Sequence, residues 1–301
     1  MSKITVIGST NIDLVAKAKR LPATGETVIG EAFQIFHGGK GANQAVGVAR
    51  LGGDVRFITK IGADQFGQQA RENQLRYGIA PDFILQDEQA PTGVALIEVD
   101  ERGQNRIVVV PGANARLTVS DLEKLRPALE TSDVILIQLE IPLETVGYIL
   151  KTGRRANAAV ILNPAPAHEL PQDFFGAISV ITPNETEAAA MTSLPAMQLT
   201  AIAEALRRKG VGTVVLTLGE QGAFFQSADE SGEVPTWKMK AVDTTAAGDA
   251  FNAGLAVALA EGQKLPSAVR FANAVAALSV TKMGAQPSMP TRSDVEKLLA
   301  A

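Results

Sequence analysis

Short runs of β-branched and aliphatic residues recur along the chain at "KITVIGS", "VRFITKIG", "DVILIQLE", "AAVILNP", "SVITPN" and "GTVVLTLG", separated by stretches of helical periodicity. A strand that is apolar at nearly every position has both faces covered, so these runs predict a mostly parallel sheet packed between two layers of helices. The periodicity places helices at Gly41 to Arg50, Gln65 to Tyr77, Ser120 to Leu129, Thr200 to Arg208, Gly248 to Glu261 and Pro266 to Lys282. The expected fold is a three-layer α/β/α sandwich. At 301 residues the chain is long enough to bury a substantial core, and no linker divides it, so residues 1–301 are expected to form one domain.

Two stretches break the rhythm. Leu14 to Phe36 and Thr92 to Val110 read as extended segments with turn signals, the second as a hairpin around "DERGQN" with apolar flanks "VALIEV" and "RIVVVP". They predict a small antiparallel sheet projecting from the main domain, or else an extension of the main sheet's edge.

Composition removes several classes of function. A net charge of -4 and the absence of long basic runs argue against a nucleic-acid partner. With no cysteine there is no disulfide, thiolate metal site or thiol nucleophile, which suits a cytoplasmic setting. Only His37 and His168 could act as imidazole ligands. No cationic-then-apolar opening and no apolar run of about 18 residues occurs, so neither a signal peptide nor a membrane span is expected.

"FHGGKGANQ", from Phe36, has the glycines and lysine of a phosphate loop, but its spacing is wrong. A Walker-type loop needs glycine where Gln34 stands and a hydroxyl where Gly41 stands, and the dinucleotide fingerprint needs a small residue in place of Gln44. A better anion site lies in "AVDTTAAGDAFNAGLAVALAEG". There Ala246, Ala247 and Gly248 leave the N–H groups of a helix start uncovered, and Asp249 stands in the first turn. Beside a bound phosphate, that carboxylate makes sense as a general base taking the proton of an attacking hydroxyl. Alone, it could equally complement the helix dipole.

"GGKGANQA" together with "DTTAAGDAFNAG" resembles the two signature regions of the ribokinase family of sugar and nucleoside kinases. The resemblance extends along the whole chain through "GSTNIDLV", "PTGVALIEV", "QLEIPLE", "LNPAPAHELP", "ITPNETEA", "LTLGEQGA" and "TKMGAQPSMP", in the family's order. It implies ATP-dependent phosphorylation of the 5-hydroxyl of D-ribose, with deoxyribose, fructose or a 2-keto-3-deoxy sugar acid as alternative acceptors. It also implies that the projecting sheet is a lid that pairs two subunits into a homodimer.

The resemblance further implies which residues act. Asn11 and Asp13 would bind sugar hydroxyls, although Asx residues after a strand also form simple turns. Gly38, Gly39, Lys40, Gly41 and Asn43 match the sugar-binding loop, and Glu140 matches a further sugar-contacting acid. Lys40 would reach the transferred phosphoryl group or stand as a solvated charge. On the nucleotide side, Asn184 and Glu187 match residues that organise Mg2+-bound phosphates, and the same pair reads from spacing as a helix cap. Thr217, Gly219 and Gly222 match the loop beside ATP, and Asn273 falls where a helix packs on adenine. Asp243, Thr245, Ser279, Lys282, Gly284 and Ser288 match a monovalent-cation site, usually K+, built mostly from backbone carbonyls.

Overall fold

A computed structural model describes residues 2–301. The chain opens with strand β1 (Lys3–Ile7), leaves the main body for β2 (Asn11–Lys17) and β3 (Ala32–Gly38), and returns through α1 (Lys40–Arg50). Next come β4 (Asp54–Gly62), α2 (Gln65–Arg76), β5 (Ile84–Asp87), β6 (Gly93–Val99) and β7 (Asn105–Val110). The middle of the chain supplies α3 (Val119–Lys124), α4 (Arg126–Glu130), β8 (Val134–Ile137), α5 (Leu143–Arg155), β9 (Ala159–Leu162), α6 (Gln172–Phe175) and β10 (Val180–Ile181). It closes with α7 (Glu185–Thr192), α8 (Leu199–Arg208), β11 (Thr213–Thr217), β12 (Ala223–Gln226), β13 (Ser231–Val234), α9 (Ala247–Ala260), α10 (Leu265–Ser279) and α11 (Arg292–Ala300).

Nine strands form the large sheet, in the order β13-β12-β11-β10-β9-β8-β1-β4-β5. Its pairs are parallel from β5 to β11, and the β11-β12-β13 meander ends it antiparallel. Both faces are covered, as the apolar runs require. Val134 and Leu136 of β8 enter one buried cluster with α1, α9 and α10, while Ile135 and Ile137 enter a second with α5 and α8. The three-layer architecture follows from that alternation.

The remaining strands make a separate sheet in the order β3-β2-β6-β7. Its outer pairs are antiparallel, but β2 and β6 run parallel, with Asn11 opposite Gly93 and Lys17 opposite Val99. The sheet is therefore mixed rather than purely antiparallel. Both β2 and β6 run outward from the main domain, and β3 and β7 bring the chain back, which forces the central pair to point the same way. A second difference concerns the helix expected over Ser120 to Leu129. It is broken at Leu125, because Pro127 lacks an N–H and its ring cannot follow another helical turn, so α4 begins afresh with proline in its first turn.

The glycines around α1 have packing reasons. A Cβ on Gly41 would lie 2.5 Å from the carbonyl carbon of Gly8, and one on Gly39, where φ is +88°, would lie 2.6 Å from the nitrogen of Asn11. A Cβ on Gly38 would strike the Asp13 carboxyl, with an oxygen only 2.2 Å away. The α1 start thus presses directly on the β1–β2 turn. Gly41→Ala is expected to cost about 1–3 kcal/mol of stability by overpacking that contact. Gly248→Ala, whose Cβ would meet nothing within 4 Å, should unfold at no lower denaturant concentration than the parent chain. Urea titrations of the two variants provide the check.

Candidate active site

The carboxyl ends of the parallel strands bring the candidate residues to one edge of the sheet, where crevices form in open α/β folds. Asn11 and Asp13 follow β1, Glu140 follows β8 and Asn184 follows β10, while α1 and α9 point their first turns at the same place. The two helix starts are joined by side chains. Asn43 Nδ2 donates to Asp249 Oδ2 and Gln44 Nε2 donates to Asp249 Oδ1, both over 2.9 Å. Asp249 is only 5% exposed. Burial pushes its carboxyl up; the Lys40 ammonium and the two amides oppose that rise, and the Glu140 charge adds to it.

Lys40 is the counterweight to a cluster of acids. Burial disfavours its charge, yet Asp249, Glu140 and Glu187 together hold its pKa above the ordinary lysine value. Asp13 is pushed up to about 6 by burial and by the charges of Glu140 and Asp249. Burial also raises Glu187, against the pull of Lys40. Lys40 is half-buried at the start of α1, within reach of the charges of Asp249, Glu140 and Glu187. Glu140 is held in place by the Ser9 hydroxyl, which donates to it, and by the N–H of Lys40 at 3.1 Å.

Asn11 is fixed by a residue that sequence reasoning missed. Asn114 Nδ2 donates to Asn11 Oδ1 over 2.7 Å and to the Thr10 carbonyl over 3.1 Å, and Asn114 Oδ1 accepts the Thr10 N–H over 2.9 Å. Gly93 makes room for that pair, since its Cβ would lie 2.3 Å from both amides. Gln44 was also missed. It is a fully buried amide within "NQAVGVARL", and a polar residue inside an apolar helical face is the signal that could have found it.

The start of α9 is the turn expected to bind an anion. Ala246 caps the helix in the left-handed region, φ 61° and ψ 15°, an uncommon conformation for a residue with a Cβ. The Ala247 N–H donates back to Thr244 over 3.2 Å, while Gly248 lies in the first turn, where N–H groups lack intrahelical acceptors. The Asn252 amide holds the Gly248 carbonyl over 2.8 Å.

Asn184 and Glu187 form the reciprocal cap that their spacing predicts, over 2.8 Å and 2.9 Å. One Glu187 oxygen is spent on that cap. Among the described residues no group of three or more His, Cys, Asp or Glu could hold a metal. This donor set fits Mg2+ only as an ion carried mainly by phosphates and waters. Asn184 bridges in parallel to Thr217, which links Glu187 to the loop containing Gly219 and Gly222. Gly222, at φ +102°, packs against the Val234 carbonyl, where a Cβ would come within 2.2 Å. Asn273 is buried, and its amide donates to that same carbonyl over 2.8 Å, so its polar end ties β13 to α10.

Of the residues matched to a cation site, Asp243, Thr245 and Gly284 are joined directly. Asp243 accepts from the N–H of Thr245 over 2.9 Å and from the N–H of Gly284 over 2.8 Å. Burial would raise Asp243, but these hydrogen bonds prevail and hold it below its ordinary value, so it stays charged. The hydroxyls of Ser279 and Ser288 donate to the carbonyls of Ala276 and Ala285, and the Lys282 N–H donates to the Ser279 carbonyl. One full negative charge among oxygen donors fits a hard monovalent cation such as K+.

Similarity to known proteins extends over nearly the whole chain. A family model described as pfkB family carbohydrate kinase matches residues 1–292. The ribokinase of Bacillus subtilis is 43% identical over 300 residues, covering 100% of both chains. The crystal structure of Thermotoga maritima ribokinase matches with a TM-score of 0.92 at 42% identity, over 100% of both chains. The structure of Arabidopsis thaliana ribokinase complexed with ribose and ATP matches with a TM-score of 0.93 at 33% identity, again over 100% of both.

The raised Asp13 gives a pH-dependent expectation. Its folded pKa of about 6 lies above the ordinary 3.8, so the proton it keeps favours the fold at low pH. That contribution is lost as pH rises through the folded value. Asp13→Asn removes the cost of burying the ion. Its Tm relative to the parent chain should therefore rise between pH 3.8 and about 6 and then level off, as read by thermal unfolding across that window.

Proposed function

The chain belongs to the pfkB family of carbohydrate kinases, and on that premise we propose that it transfers the γ-phosphoryl group of ATP to the 5-hydroxyl of D-ribose, giving D-ribose 5-phosphate and ADP. The observation that carries this reading is the burial of Asp249 in the first turn of α9, beside Lys40 and across from Asp13 and Glu140. A pentose offers a row of hydroxyls, and the acids and amides at Asn11, Asp13, Asn43 and Glu140 supply the acceptors and donors to hold them. Asn43 keeps a second amide hydrogen for the sugar beyond the one given to Asp249. The likeness to ribokinases, one of them complexed with ribose and ATP, supports the same acceptor.

Asp249 takes the proton of the attacking 5-hydroxyl as its oxygen approaches the γ-phosphorus in line. The N–H groups of Ala246 and Gly248, and that of Ala247 once it leaves the Thr244 carbonyl, meet the charge that develops on the phosphoryl oxygens. Lys40 lies among the acids on the acceptor side, where its charge lowers the repulsion between those acids and an incoming phosphate. Asn184, Glu187, Thr217, Gly219 and Gly222 line the nucleotide side, with Asn273 holding the β13 exit behind the adenine. Asn184 and Glu187 would hold Mg2+ largely through waters, and the ion would supply neutralising charge to the phosphates. Asp243 and the carbonyls of Thr245, Ser279, Lys282, Gly284 and Ser288 would hold a K+ ion, which would supply positive potential beside the anion hole.

Residues 1–301 act in this reading as one kinase domain. The sheet made from about residues 14–36 and 92–110 serves as a lid that keeps water from competing as acceptor. Phe33, Ile35, Leu96 and the run Ile107 to Val110 leave an exposed apolar surface on it. A second copy covering that surface removes the liability. Light scattering is then expected to give twice the 31.6 kDa chain mass, and a single-chain mass refutes the pairing.

Activity gives the main test. Asp249→Ala should lower kcat by about 10²–10⁴-fold, the usual contribution of a general base, and retention of more than about a tenth of turnover contradicts the role. ATP consumption should be fastest with D-ribose in a panel of pentoses, hexoses, sugar acids and nucleosides. Faster turnover of deoxyribose, fructose or a 2-keto-3-deoxy acid moves the assignment to that sugar.

A further inference from the structure

Each oxygen of Asp249 faces an amide donor, Gln44 Nε2 at one and Asn43 Nδ2 at the other. A primary amide donates at one end and accepts at the other, so a further partner must fix which end meets the carboxylate. Both amides have one. Gln286 Nε2 donates to Asn43 Oδ1 over 3.2 Å, and Gln286 Oε1 accepts from Asn73 Nδ2 over 2.6 Å. On the other side, Gln138 Nε2 donates to Gln44 Oε1 over 2.5 Å, while Gln44 Nε2 also reaches Asn163 Oδ1 at 3.1 Å.

Two chains of amides therefore run donor to acceptor in a single direction and end on the two oxygens of one carboxylate. One starts at Asn73 on α2, the other at Gln138 beyond β8. Gln44, Gln138 and Gln286 are each no more than 1% exposed, and in such surroundings a reversed amide would set a carbonyl oxygen against the carboxylate. The spread of the chains is a second point. Asn73, Gln286, Gln44 and Gln138 come from four separate segments, so local helix capping does not account for them.

We propose that Gln44 and Gln138, together with the Asn73–Gln286 relay acting through Asn43, are positioning residues that lock the Asp249 carboxylate in the orientation in which it accepts the substrate proton. The proposal rests on the reading of Asp249 as the general base. Four charged groups face that carboxylate: Lys40 from α1, Asp13 from β2, Glu140 from beyond β8 and Glu187 from α7. Lys40 favours the ionised form and the three acids oppose it. The amide donors add to the lysine's effect, and both oxygens being fed by N–H groups leaves no acceptor in the relays for a proton bound there. Removing a donor therefore moves the Asp249 titration upward.

Rate–pH profiles of the full-length enzyme test this with Gln44→Met, Asn73→Leu and Asp249→Asn. Gln44→Met should lower kcat by about tenfold to a hundredfold, the usual effect of losing a hydrogen bond to a charged group, and shift the acidic limb to higher pH. Asn73→Leu, at a half-buried position on α2, should show a smaller loss with a limb shift of the same sign, while KM for sugar and for ATP changes by less than about twofold. A merely structural role would lower Tm or the active fraction and leave the limb in place. If Gln44→Met does not fold, Asn73→Leu decides alone. An unmoved limb with kcat within about twofold of the parent overturns the relay when Asp249→Asn is inactive. Turnover retained by Asp249→Asn instead removes the base on which the relay rests.

Discussion

The site depends on one buried contact, the Asp249 carboxylate held between the amides of Asn43 and Gln44. It ties the first turn of α9 to the first turn of α1, two segments some two hundred positions apart in the chain. For those helix starts to meet, the helices behind them must lie close, and Gly47 permits it: a Cβ there would come within 2.6 Å of the Ala253 Cβ. The α1 start must also seat on the β1–β2 turn, where Gly39 and Gly41 allow backbone to touch backbone. That docking sets where Asn11 and Asp13 stand. Helix, turn and lid root are thus consequences of bringing one carboxylate to one place.

The electrostatics carry a cost that the fold does not recover on its own. Asp249, Glu140 and Glu187 act on a single lysine, Asp13 adds a fourth acid near Glu140 and Asp249, and burial raises Asp13, Glu187 and Asp249 above their ordinary values. Such an arrangement is destabilising by itself. It becomes useful when hydroxyls donate to the acids, which is what a sugar brings. Perturbed carboxyls gathered in a crevice are a functional signature on this physical ground.

Much of this was legible in the sequence, for identifiable reasons. Strands such as "DVILIQLE" are apolar on both faces, and the structure sends Leu136 and Ile137 to opposite clusters. The Asn184–Glu187 spacing gave the helix cap, and the cap stands beside the acids of the site, so its two readings are compatible. The parallel pairing of β2 with β6 was not legible, because alternation shows which face a residue takes but not the direction of its neighbour. Nor does a glycine reveal what its missing Cβ avoids. Gly38, Gly39 and Gly41 matched a sugar-binding loop, and their nearest neighbours prove to be Asp13 and the backbone of Gly8 to Asn11. Gln286 carried no local signal, since "MGAQPSMP" has no periodicity and its amide matters only through Asn43 and Asn73.

A crystal structure with D-ribose and a non-transferable ATP analogue tests the central claim most directly. The account predicts the sugar's 5-hydroxyl within about 2.6–3.2 Å of an Asp249 oxygen, with the γ-phosphate over the N–H groups of Ala246 to Gly248. A sugar bound with that hydroxyl turned away from Asp249, or a γ-phosphate seated on the Gly38 to Gly41 loop instead, would contradict it.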